Sequence, residues 1–264
     1  MMFANKIVWI TGASSGIGEA LVKTFAKENA KIILSARKTA ELERVQKENK
    51  LTDENSMILP FDLENTSNAN ELAEQIIKKF GGIDILINNG GFSQRSEASE
   101  TELATSRNLM EVNFFAPVAL TKAVLPYMLK QQSGQVVVMS SIAGKFGFYL
   151  RSSYSAAKHA LHGYFESFRL ETEKKGIKTL IVCPGKIKTE ISLNAVGPKG
   201  KAHNKMDESH VNAMSADDCA AEIMQALTQN KEEVLIGGKE IKAVWLKNHF
   251  PKRFGKVIRK QKPE

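Results

Sequence analysis

The segment Lys6-Ile7-Val8-Trp9-Ile10-Thr11-Gly12-Ala13-Ser14-Ser15-Gly16-Ile17-Gly18 joins a short apolar run to a glycine-rich loop. The run Lys6–Ile10 predicts a β-strand, and the amphipathic stretch Gly18–Glu28 predicts a helix that begins where the loop ends. Glycine lets a chain turn tightly and brings backbone N–H groups close to a phosphate at the positive helix terminus. The segment therefore predicts a nucleotide site whose binding residues are Gly12, Ser14, Ser15, Gly16, Ile17 and Gly18.

The same alternation of strand and helix continues along the chain and predicts the fold class. Short β-branched runs, several of them apolar on both faces, alternate with amphipathic stretches, as in a parallel sheet covered by helices. Because crossovers between parallel strands are right-handed, we expect an α/β fold with a Rossmann-type doubly wound sheet of about seven strands. The strands are predicted at Lys6–Ile10, Lys31–Ala36, Ser56–Phe61, Ile83–Ile87, Gln135–Ser140, Lys178–Cys183 and Val234–Ile236. The helices are predicted near Gly18–Glu28, Thr39–Glu48, Ala69–Phe80, Glu102–Lys130, Ser153–Lys175 and Ala216–Gln229.

The chain shows no internal repeat and no linker, so one catalytic domain is predicted over residues 1–238. Within it, Glu190–Met214 is the least regular stretch and contains Gly197-Pro198-Lys199-Gly200. We expect this stretch to form a mobile lid over the site. Residues 239–264 are predicted to form a separate basic tail.

The composition is that of an ordinary globular protein. Of the 264 residues, 42% are hydrophobic and 25% are charged, and no uninterrupted apolar run reaches the length of a membrane span. The first residues run directly into the first predicted strand, so no signal peptide is expected. Two cysteines and five scattered histidines predict neither a disulfide framework nor a metal site. These features predict a cytoplasmic protein.

The positive charge of the chain is concentrated in the tail. The formal net charge is +8, and Lys239–Glu264 carries nine Lys or Arg residues and two Glu residues. Leu246, Phe250, Phe254 and Ile258 recur in the tail at four-residue intervals, although Pro251 interrupts any single helix. Two interpretations stay open: the stripe packs on the domain, or it lies on an anionic membrane surface. A nucleic-acid partner is not expected, because the rest of the chain has little basic excess.

The end of the second predicted strand indicates which nucleotide is bound. An NAD site usually has an acidic residue here to hold the ribose 2′-hydroxyl. This strand ends in Leu34-Ser35-Ala36-Arg37-Lys38, with no acid, and Arg37 and Lys38 can hold a 2′-phosphate. We therefore expect NADP(H); the alternative is that both cations merely cap the strand at the surface.

A phenol and an ammonium are predicted to share one helix face. Tyr154 and Lys158 are four residues apart, about one helical turn, and Ser141 lies thirteen residues before the tyrosine. A phenol titrates near ~10, so it exchanges protons poorly at neutral pH unless a neighbour lowers its pKa. A cation at about 4 Å lowers the pKa by about the required amount, before desolvation opposes it. Taken alone, this common spacing usually indicates a solvated helix face; the other motifs of the chain favour the catalytic interpretation.

Together these residues resemble the classical short-chain dehydrogenase/reductase family over about residues 3–238. The motifs that carry the resemblance, in order along the chain, are Thr11–Gly18, Asp62-Leu63, Asn88-Asn89-Gly90-Gly91, Asn113, Ser140-Ser141, Tyr154 with Lys158, and Pro184-Gly185 with Thr189. Gly90 stands where the family has alanine, which keeps the close backbone approach. The segments Thr189–Ala195 and Lys205-Met206-Asp207 look like the branch of steroid-type and orphan dehydrogenase/reductase members.

The resemblance implies a role for each motif. Ser141 would bind the substrate oxygen, Tyr154 would exchange the proton, and Lys158 would bind the nicotinamide ribose and lower the tyrosine pKa. Asn113 would anchor a water-linked proton relay. The cofactor would also meet Asp62, Leu63, Asn88, Gly90, Pro184, Gly185, Ile187 and Thr189. The resemblance further implies a homodimer or homotetramer.

The sequence thus predicts an NADP(H)-dependent oxidoreductase that interconverts a carbonyl and an alcohol on a small lipophilic substrate. Two alternatives remain: a 3-oxoacyl-thioester reductase of lipid metabolism, and a non-catalytic NADP-sensing protein. The expected apolar lining of the substrate pocket is Phe92, Ile142, Phe146, Phe148, Tyr149, Leu193 and Met206. The cations Arg95, Lys145 and Arg151 could receive an acidic group, or they could simply be solvated.

Overall fold

The computed structural model describes residues 1–204 and 213–261, which form a doubly wound α/β fold around one parallel sheet. The seven strands lie in the order β3-β2-β1-β4-β5-β6-β7, and every pair is parallel. The strands are β1 (Ile7–Thr11), β2 (Lys31–Ser35), β3 (Ser56–Ile58), β4 (Ile85–Asn88), β5 (Gly134–Met139), β6 (Ile177–Pro184) and β7 (Glu233–Ile236). The α-helices are α1 (Gly16–Lys27), α2 (Thr39–Glu48), α3 (Ala69–Phe80), α4 (Leu103–Met110), α5 (Ala116–Gln131), α6 (Ser152–Thr172), α7 (Ala216–Thr228), α8 (Lys242–His249) and α9 (Pro251–Ile258).

The continuous apolar strands build two cores, one on each face of the sheet. Along β1, Val8 and Ile10 point to a core completed by α1, α2 and α7, whereas Trp9 points to a core completed by α3, α5 and α6. All three side chains are fully buried. Alternation along a strand sends successive side chains to opposite faces, so a strand without polar positions has to be covered on both sides. This confirms the predicted architecture.

Strand boundaries differ from the predicted ones by one to three residues. The largest difference is at β3, which was expected to reach Phe61 but ends at Ile58. Position 60 faces the open edge of the sheet, where Pro60 loses no ladder bond by lacking an N–H. The backbone N–H groups of Leu59 and Phe61 still reach the carbonyls of Leu34 and Ala36.

The long helix predicted over Glu102–Lys130 is interrupted in the structure. A π-helical turn, Glu111–Phe115, separates α4 from α5. Pro117 has no N–H to donate to the carbonyl of Asn113 four residues before it. The side-chain Nδ2 of Asn113 donates to the Leu109 carbonyl within this turn. By length and composition the stretch Leu103–Gln131 could cross a membrane, but half of its most apolar window is buried inside the molecule, as in a core helix.

The predicted lid lies partly outside the described residues. Of Glu190–Met214, residues 190–204 and 213–214 are described, and they contain isolated bridges rather than a regular strand or helix. Val196 bridges to Gln94 and to Ala202, and Met214 bridges to Ile187. The lid is therefore attached to the loop after β4 and to the loop after β6.

The tail forms two short helices, and Pro251 begins the second, as the sequence predicts. Phe254 and Ile258 of the predicted stripe pack on the domain beside Phe146. Phe250 does not: 42% of its surface is exposed. The packing interpretation therefore holds for part of the stripe only.

Candidate active site

A cavity of about 750 Å³ opens at the carboxyl ends of β1, β2, β4, β5 and β6. Ligands of open α/β sheets bind at this edge, where the strand order reverses beside β1. The structure brings most of the predicted site residues to its wall. They are Gly12, Ser14, Ser15, Gly16, Ile17, Arg37, Lys38, Asp62, Leu63, Gly90, Asn113, Ser141, Tyr154, Lys158, Pro184, Gly185, Ile187 and Thr189.

Two predicted cofactor residues, Gly18 and Asn88, do not line this cavity. A Cβ on Gly18 would lie 2.0 Å from the Gly12 carbonyl oxygen, so this glycine lets α1 pack under the loop. The side chain of Asn88 is buried and donates to the Thr121 hydroxyl on α5, at 3.2 Å. Alternation along β4 turns it away from the cavity, and Asn89 and Gly90 lie at the wall instead. We therefore assign Gly18 and Asn88 structural roles.

The glycine loop is held against the loop after β4. The Thr11 hydroxyl accepts hydrogen bonds from the backbone N–H groups of Asn89 and Gly90, both at 3.0 Å. Gly12 has φ of +64°, and a Cβ there would lie 2.8 Å from the Gly90 Cα. The Gly16 φ of +57° is also left-handed. The cradle thus consists of backbone without side chains, which fits a pyrophosphate at the start of α1.

The rim near the end of β2 is positively charged. Arg37 and Lys38 line the cavity and are exposed, and among the described residues neither has an ion-pair partner. Glu41 also lines the cavity, but its carboxylate accepts a hydrogen bond from Arg44 at 2.9 Å. The Arg44 side chain also bonds Glu19 and the Ser14 carbonyl. A ligand at this rim therefore faces two available cations, while the Glu41 carboxylate is already paired.

Tyr154 and Lys158 lie on one face of α6, as their spacing predicts. Both are buried, and the Lys158 Nζ lies 5.6 Å from the centre of the Tyr154 ring. The same ammonium donates to the Met139 carbonyl at the end of β5, at 2.7 Å. The helix therefore aims the phenol and the ammonium at one point of the cavity wall.

The Asn113 side chain faces the same point from the π-helical turn. Its Nδ2 donates to the carbonyls of Phe92 and Leu109, while its buried Oδ1 has no partner in the described structure. A Cβ on Gly91 would lie 2.6 Å from this Oδ1 and 3.7 Å from the Lys158 Nζ. An unpaired acceptor beside an ammonium suits a bound polar group or water. The arrangement agrees with the relay that the resemblance implies for Asn113.

Burial, rather than Lys158, dominates the acidity of the phenol. Desolvation raises the pKa of Tyr154, and the influences that lower it are hydrogen bonding with Ser141 and the charges of Arg151 and Arg95. Desolvation also lowers the pKa of Lys158 to about 8. The expectation that Lys158 lowers the tyrosine pKa is thus corrected: its ammonium contacts the ring and a carbonyl, and burial weakens its own charge.

A second cavity of about 260 Å³ adjoins the first, and Ser141, Tyr154, Gly185 and Ile191 line both. Its remaining wall contains both apolar and basic side chains. The full remaining lining is Ser93, Arg95, Ile142, Ala143, Phe148, Tyr149, Arg151, Lys186 and Gln261. The hydroxyls of Ser141 and Tyr154 therefore stand where the two cavities meet.

The expected substrate lining is met in part. Ile142, Phe148 and Tyr149 line the second cavity, and Phe92 lines the first. Phe146 is buried against Phe254 of α9, and neither it nor Leu193 lines these two cavities. Met206 lies outside the described residues. Of the three cations, Arg95 and Arg151 reach the second cavity, whereas Lys145 is paired with Glu233.

Gln94 is a residue of the site that sequence reasoning missed. Its buried Oε1 accepts hydrogen bonds from the backbone N–H groups of Ser153 and Tyr154, at 2.9 and 3.2 Å. These N–H groups belong to the first turn of α6 and have no partner within the helix. Gln94 thus caps the helix that carries Tyr154 and Lys158. No local signal reveals this, because the two segments are about sixty positions apart.

A polar cluster behind the site was also missed. The His162 ring lies 3.0 Å from the Ser140 hydroxyl through Nε2 and 3.2 Å from the Lys145 ammonium through Nδ1. With Cys183 and Glu233, His162 places three candidate ligand atoms within 4.8 Å of one another. Cys183 meets Nε2 and Glu233 meets Nδ1, on opposite edges of the ring, and Lys145 holds the carboxylate. The Lys145–Glu233 pair makes the cluster an ion-paired network in contact with the Ser140 hydroxyl.

Glu240 fixes the loop after β6. Its carboxylate accepts hydrogen bonds from the backbone N–H groups of Lys186 and Gly238, at 2.8 and 3.0 Å. It also lies so close to Gly185 that a Cβ there would meet the carboxylate oxygen at 2.4 Å. The first residues of the predicted tail therefore take part in shaping the wall of both cavities.

Comparison with known proteins gives a consistent picture. The family model described as short chain dehydrogenase matches residues 6–197. A Drosophila melanogaster protein named dehydrogenase/reductase SDR family protein 7-like is 38% identical over 250 residues, covering 93% of this chain and 77% of that protein. The mouse dehydrogenase/reductase SDR family member 7B is 37% identical over 236 residues, covering 88% and 73%.

Solved structures are similar over the whole chain. A short-chain dehydrogenase from Streptomyces avermitilis is 27% identical, has a TM-score of 0.81, and is matched over 96% of each chain. A short chain dehydrogenase/reductase from Burkholderia phymatum, solved in complex with NAD, has a TM-score of 0.84 at 21% identity, over 100% of this chain and 98% of that one. The second likeness shows the fold alone.

Replacing Gln94 should destabilise the first turn of α6. Gln94→Ala leaves two buried backbone N–H groups without an acceptor, so the free energy of unfolding should fall by about 1–2 kcal/mol. Urea denaturation followed by circular dichroism measures this loss. Hydrogen exchange at the Ser153 and Tyr154 amides is the local readout, because it should accelerate in Gln94→Ala; unchanged exchange there would contradict the capping role.

Proposed function

Because this chain belongs to the short-chain dehydrogenase family, we propose that it is an NADP(H)-dependent oxidoreductase that interconverts a carbonyl and an alcohol on a small lipophilic molecule. The observation that carries the proposal is the shared wall of the two cavities, where Ser141 and Tyr154 face both spaces. One space has the glycine cradle of a dinucleotide, and the other has an apolar side suited to a substrate. A reacting carbon placed between them would lie beside both hydroxyls.

The residues at the shared wall have distinct tasks. The bound nicotinamide would supply or accept the hydride. In carbonyl reduction, the Tyr154 hydroxyl donates a proton to the substrate oxygen while the Ser141 hydroxyl binds that oxygen. Burial raises the pKa of Tyr154, so the phenol keeps its proton at neutral pH and is ready to donate it. The raised pKa therefore suits the reductive direction.

Lys158 is suited to returning the proton to the tyrosine. Its pKa of about 8 allows it to exchange a proton near neutral pH, unlike an ordinary exposed lysine. The unpaired Asn113 Oδ1 faces the same small space as the Lys158 ammonium. A water held there would connect the ammonium to the outside of the site.

The preference for NADP(H) over NAD(H) is supported by charge at the end of β2. Arg37 and Lys38 stand at the rim without ion-pair partners in the described part of the chain, and Glu41 is engaged by Arg44. A 2′-phosphate at this rim would gain charge-assisted hydrogen bonds from both cations. A 2′-hydroxyl would find no unpaired carboxylate from β2 to accept its hydrogen bond.

The lipophilic class of substrate is supported by the second cavity. Ile142, Phe148 and Tyr149 form its apolar side, close to the Ser141 and Tyr154 hydroxyls. A volume of about 260 Å³ holds a small molecule with its reacting oxygen at the polar end. Arg95 and Arg151 in the same lining would favour a substrate that also carries a polar or acidic group.

Removing the Tyr154 hydroxyl should abolish turnover but leave nucleotide binding intact. Tyr154→Phe keeps the ring and its packing, so we expect kcat to fall by roughly 10²–10⁴-fold while the NADPH dissociation constant changes little. NADPH oxidation with a panel of ketones, aldehydes and alcohols, together with fluorescence titration of NADPH, measures both. Tyr164→Phe on the same helix is the control. Near-normal turnover of Tyr154→Phe would contradict the mechanism.

Neutralising the β2 rim should remove the preference between nucleotides. Arg37→Ala and Lys38→Ala each delete a charge-assisted bond to a 2′-phosphate, so KM for NADPH should rise about tenfold or more per variant, with KM for NADH little changed. Steady-state kinetics with both nucleotides decides this. Lys27→Ala, at the far end of α1, controls for net charge. Equal effects on both nucleotides would show that the cations do not read the 2′-phosphate.

The pH profile should report the titration of Lys158. Its ammonium is charged below a pKa of about 8 and neutral above it, so kcat/KM for carbonyl reduction should decline as pH rises through that value. A profile of kcat/KM between mildly acidic and alkaline pH measures this limb. Lys158→Arg stays charged over the whole pH range. The residual kcat/KM of this variant should therefore no longer decline near pH 8. An unchanged limb would assign the titration to another group.

A further inference from the structure

We propose that the outer surface of α8 and α9 docks on an anionic phospholipid bilayer and holds the substrate cavity next to it. This surface, here the tail surface, consists of Trp245, Phe250 and Val257 with the surrounding cations of the two helices. Binding at the tail surface does not require catalytic activity. The apolar side chains of this surface are left uncovered by the fold.

The tail helices bury one side and expose apolar residues on the other. Phe254 and Ile258 pack on the domain, whereas Trp245, Phe250 and Val257 are 57%, 42% and 49% exposed. The Trp245 ring lies 5.5 Å from the Phe250 ring, so the exposed aromatics form one patch across the two helices. Phe250 and Val257 are seven residues apart, which places them along one side of α9.

The cations of α9 lie next to this apolar patch. Arg253 stacks over the Phe250 ring at 5.4 Å. Lys252 and Lys256 are exposed on α9, and Lys260 is exposed in the turn that follows it. Aromatic residues flanked by Lys and Arg are the usual composition of a helix that lies in the interface of an anionic membrane.

Charge decides between a bilayer and other occupants. Lys239–Glu264 carries a net charge of +7 out of +8 for the whole chain. A second copy docked symmetrically on the tail surface would bring two such clusters together, which is unfavourable. An anionic bilayer attracts each of these cations and also accepts Trp245, Phe250 and Val257. Nucleic acid would match the charge but offers no apolar phase for Val257.

The tail surface also lies beside the proposed substrate space. Gln261, just after α9, lines the second cavity with Phe148, Tyr149 and Tyr154. Phe254 and Ile258 pack on the cluster that contains Phe148, one of the walls of that cavity. Docking at this surface would therefore hold the cavity close to lipid-dissolved molecules.

Vesicle binding by the full chain tests the proposal directly. The protein should co-sediment with phosphatidylcholine vesicles that contain phosphatidylserine, and much less with phosphatidylcholine alone or at high salt. Removing charge by Lys252→Gln, Lys256→Gln and Lys260→Gln should weaken binding about fivefold per residue. Lys78→Gln, Lys130→Gln and Lys174→Gln remove the same charge from exposed positions elsewhere and should have little effect.

Fluorescence locates the contact, because the chain has two tryptophans. Trp9 is fully buried, whereas Trp245 lies in the tail surface, so vesicles should shift the Trp245 emission to shorter wavelengths. Brominated phospholipids should quench that emission, and Trp245→Phe should abolish the change. The combined variant Trp245→Ser, Phe250→Ser, Val257→Ser should lose at least tenfold in vesicle affinity. Leu103→Ser with Leu170→Ser, which removes exposed leucines elsewhere, should not.

Three results would overturn the proposal. The first is equal binding to neutral and anionic vesicles, or none to either at low salt. The second is unchanged vesicle binding by the tail variants. The third is that the tail variants bind vesicles normally but change their oligomeric state or lose binding to an RNA oligonucleotide. None of these measurements involves turnover, so their outcome does not depend on the proposed reaction.

Discussion

The close approach of two loops, after β1 and after β4, is the constraint on which the site depends. Thr11 accepts hydrogen bonds from the backbone of Asn89 and Gly90, and Gly12 meets Gly90 with no room for a side chain. Because the loops are locked together, the glycine cradle, Asn113 and the start of α6 hold fixed positions along one edge of the sheet. The strand or helix that carries each polar side chain of the site is then enough to place that side chain at the cavity.

Much of this arrangement could be predicted from the sequence, because it depends on local patterns. Strands that are apolar on both faces require a covered parallel sheet, and the Tyr154–Lys158 spacing sets a shared helix face. The positions that the sequence did not predict correctly depend on tertiary contacts. Asn88 turns to α5 and Phe146 is covered by α9, although each belongs to a segment that was predicted to line the site. Gln94 caps a helix about sixty residues away, which no local pattern encodes.

The electrostatics of the site follow from burial more than from pairing. A simple pair argument assigns the acidity of Tyr154 to Lys158, but desolvation acts on both groups and in opposite directions. It raises the pKa of the phenol and lowers that of the ammonium, so the two proton affinities move apart. Transfer of a proton from the Lys158 ammonium to a Tyr154 phenolate is therefore downhill. Burial thus sets the direction of proton transfer between the two groups.

The Glu240 carboxylate has a consequence for where the chain can be shortened. By composition, the basic extension starts at Lys239 and looks dispensable. Yet Glu240 accepts the backbone N–H of Lys186, and Lys247 binds the carbonyl of Lys145, so the extension is bonded to two loops of the core. A truncation after Gly238 would leave these backbone groups without partners. The smallest intact unit of this enzyme therefore has to extend past the point where its amino-acid composition changes.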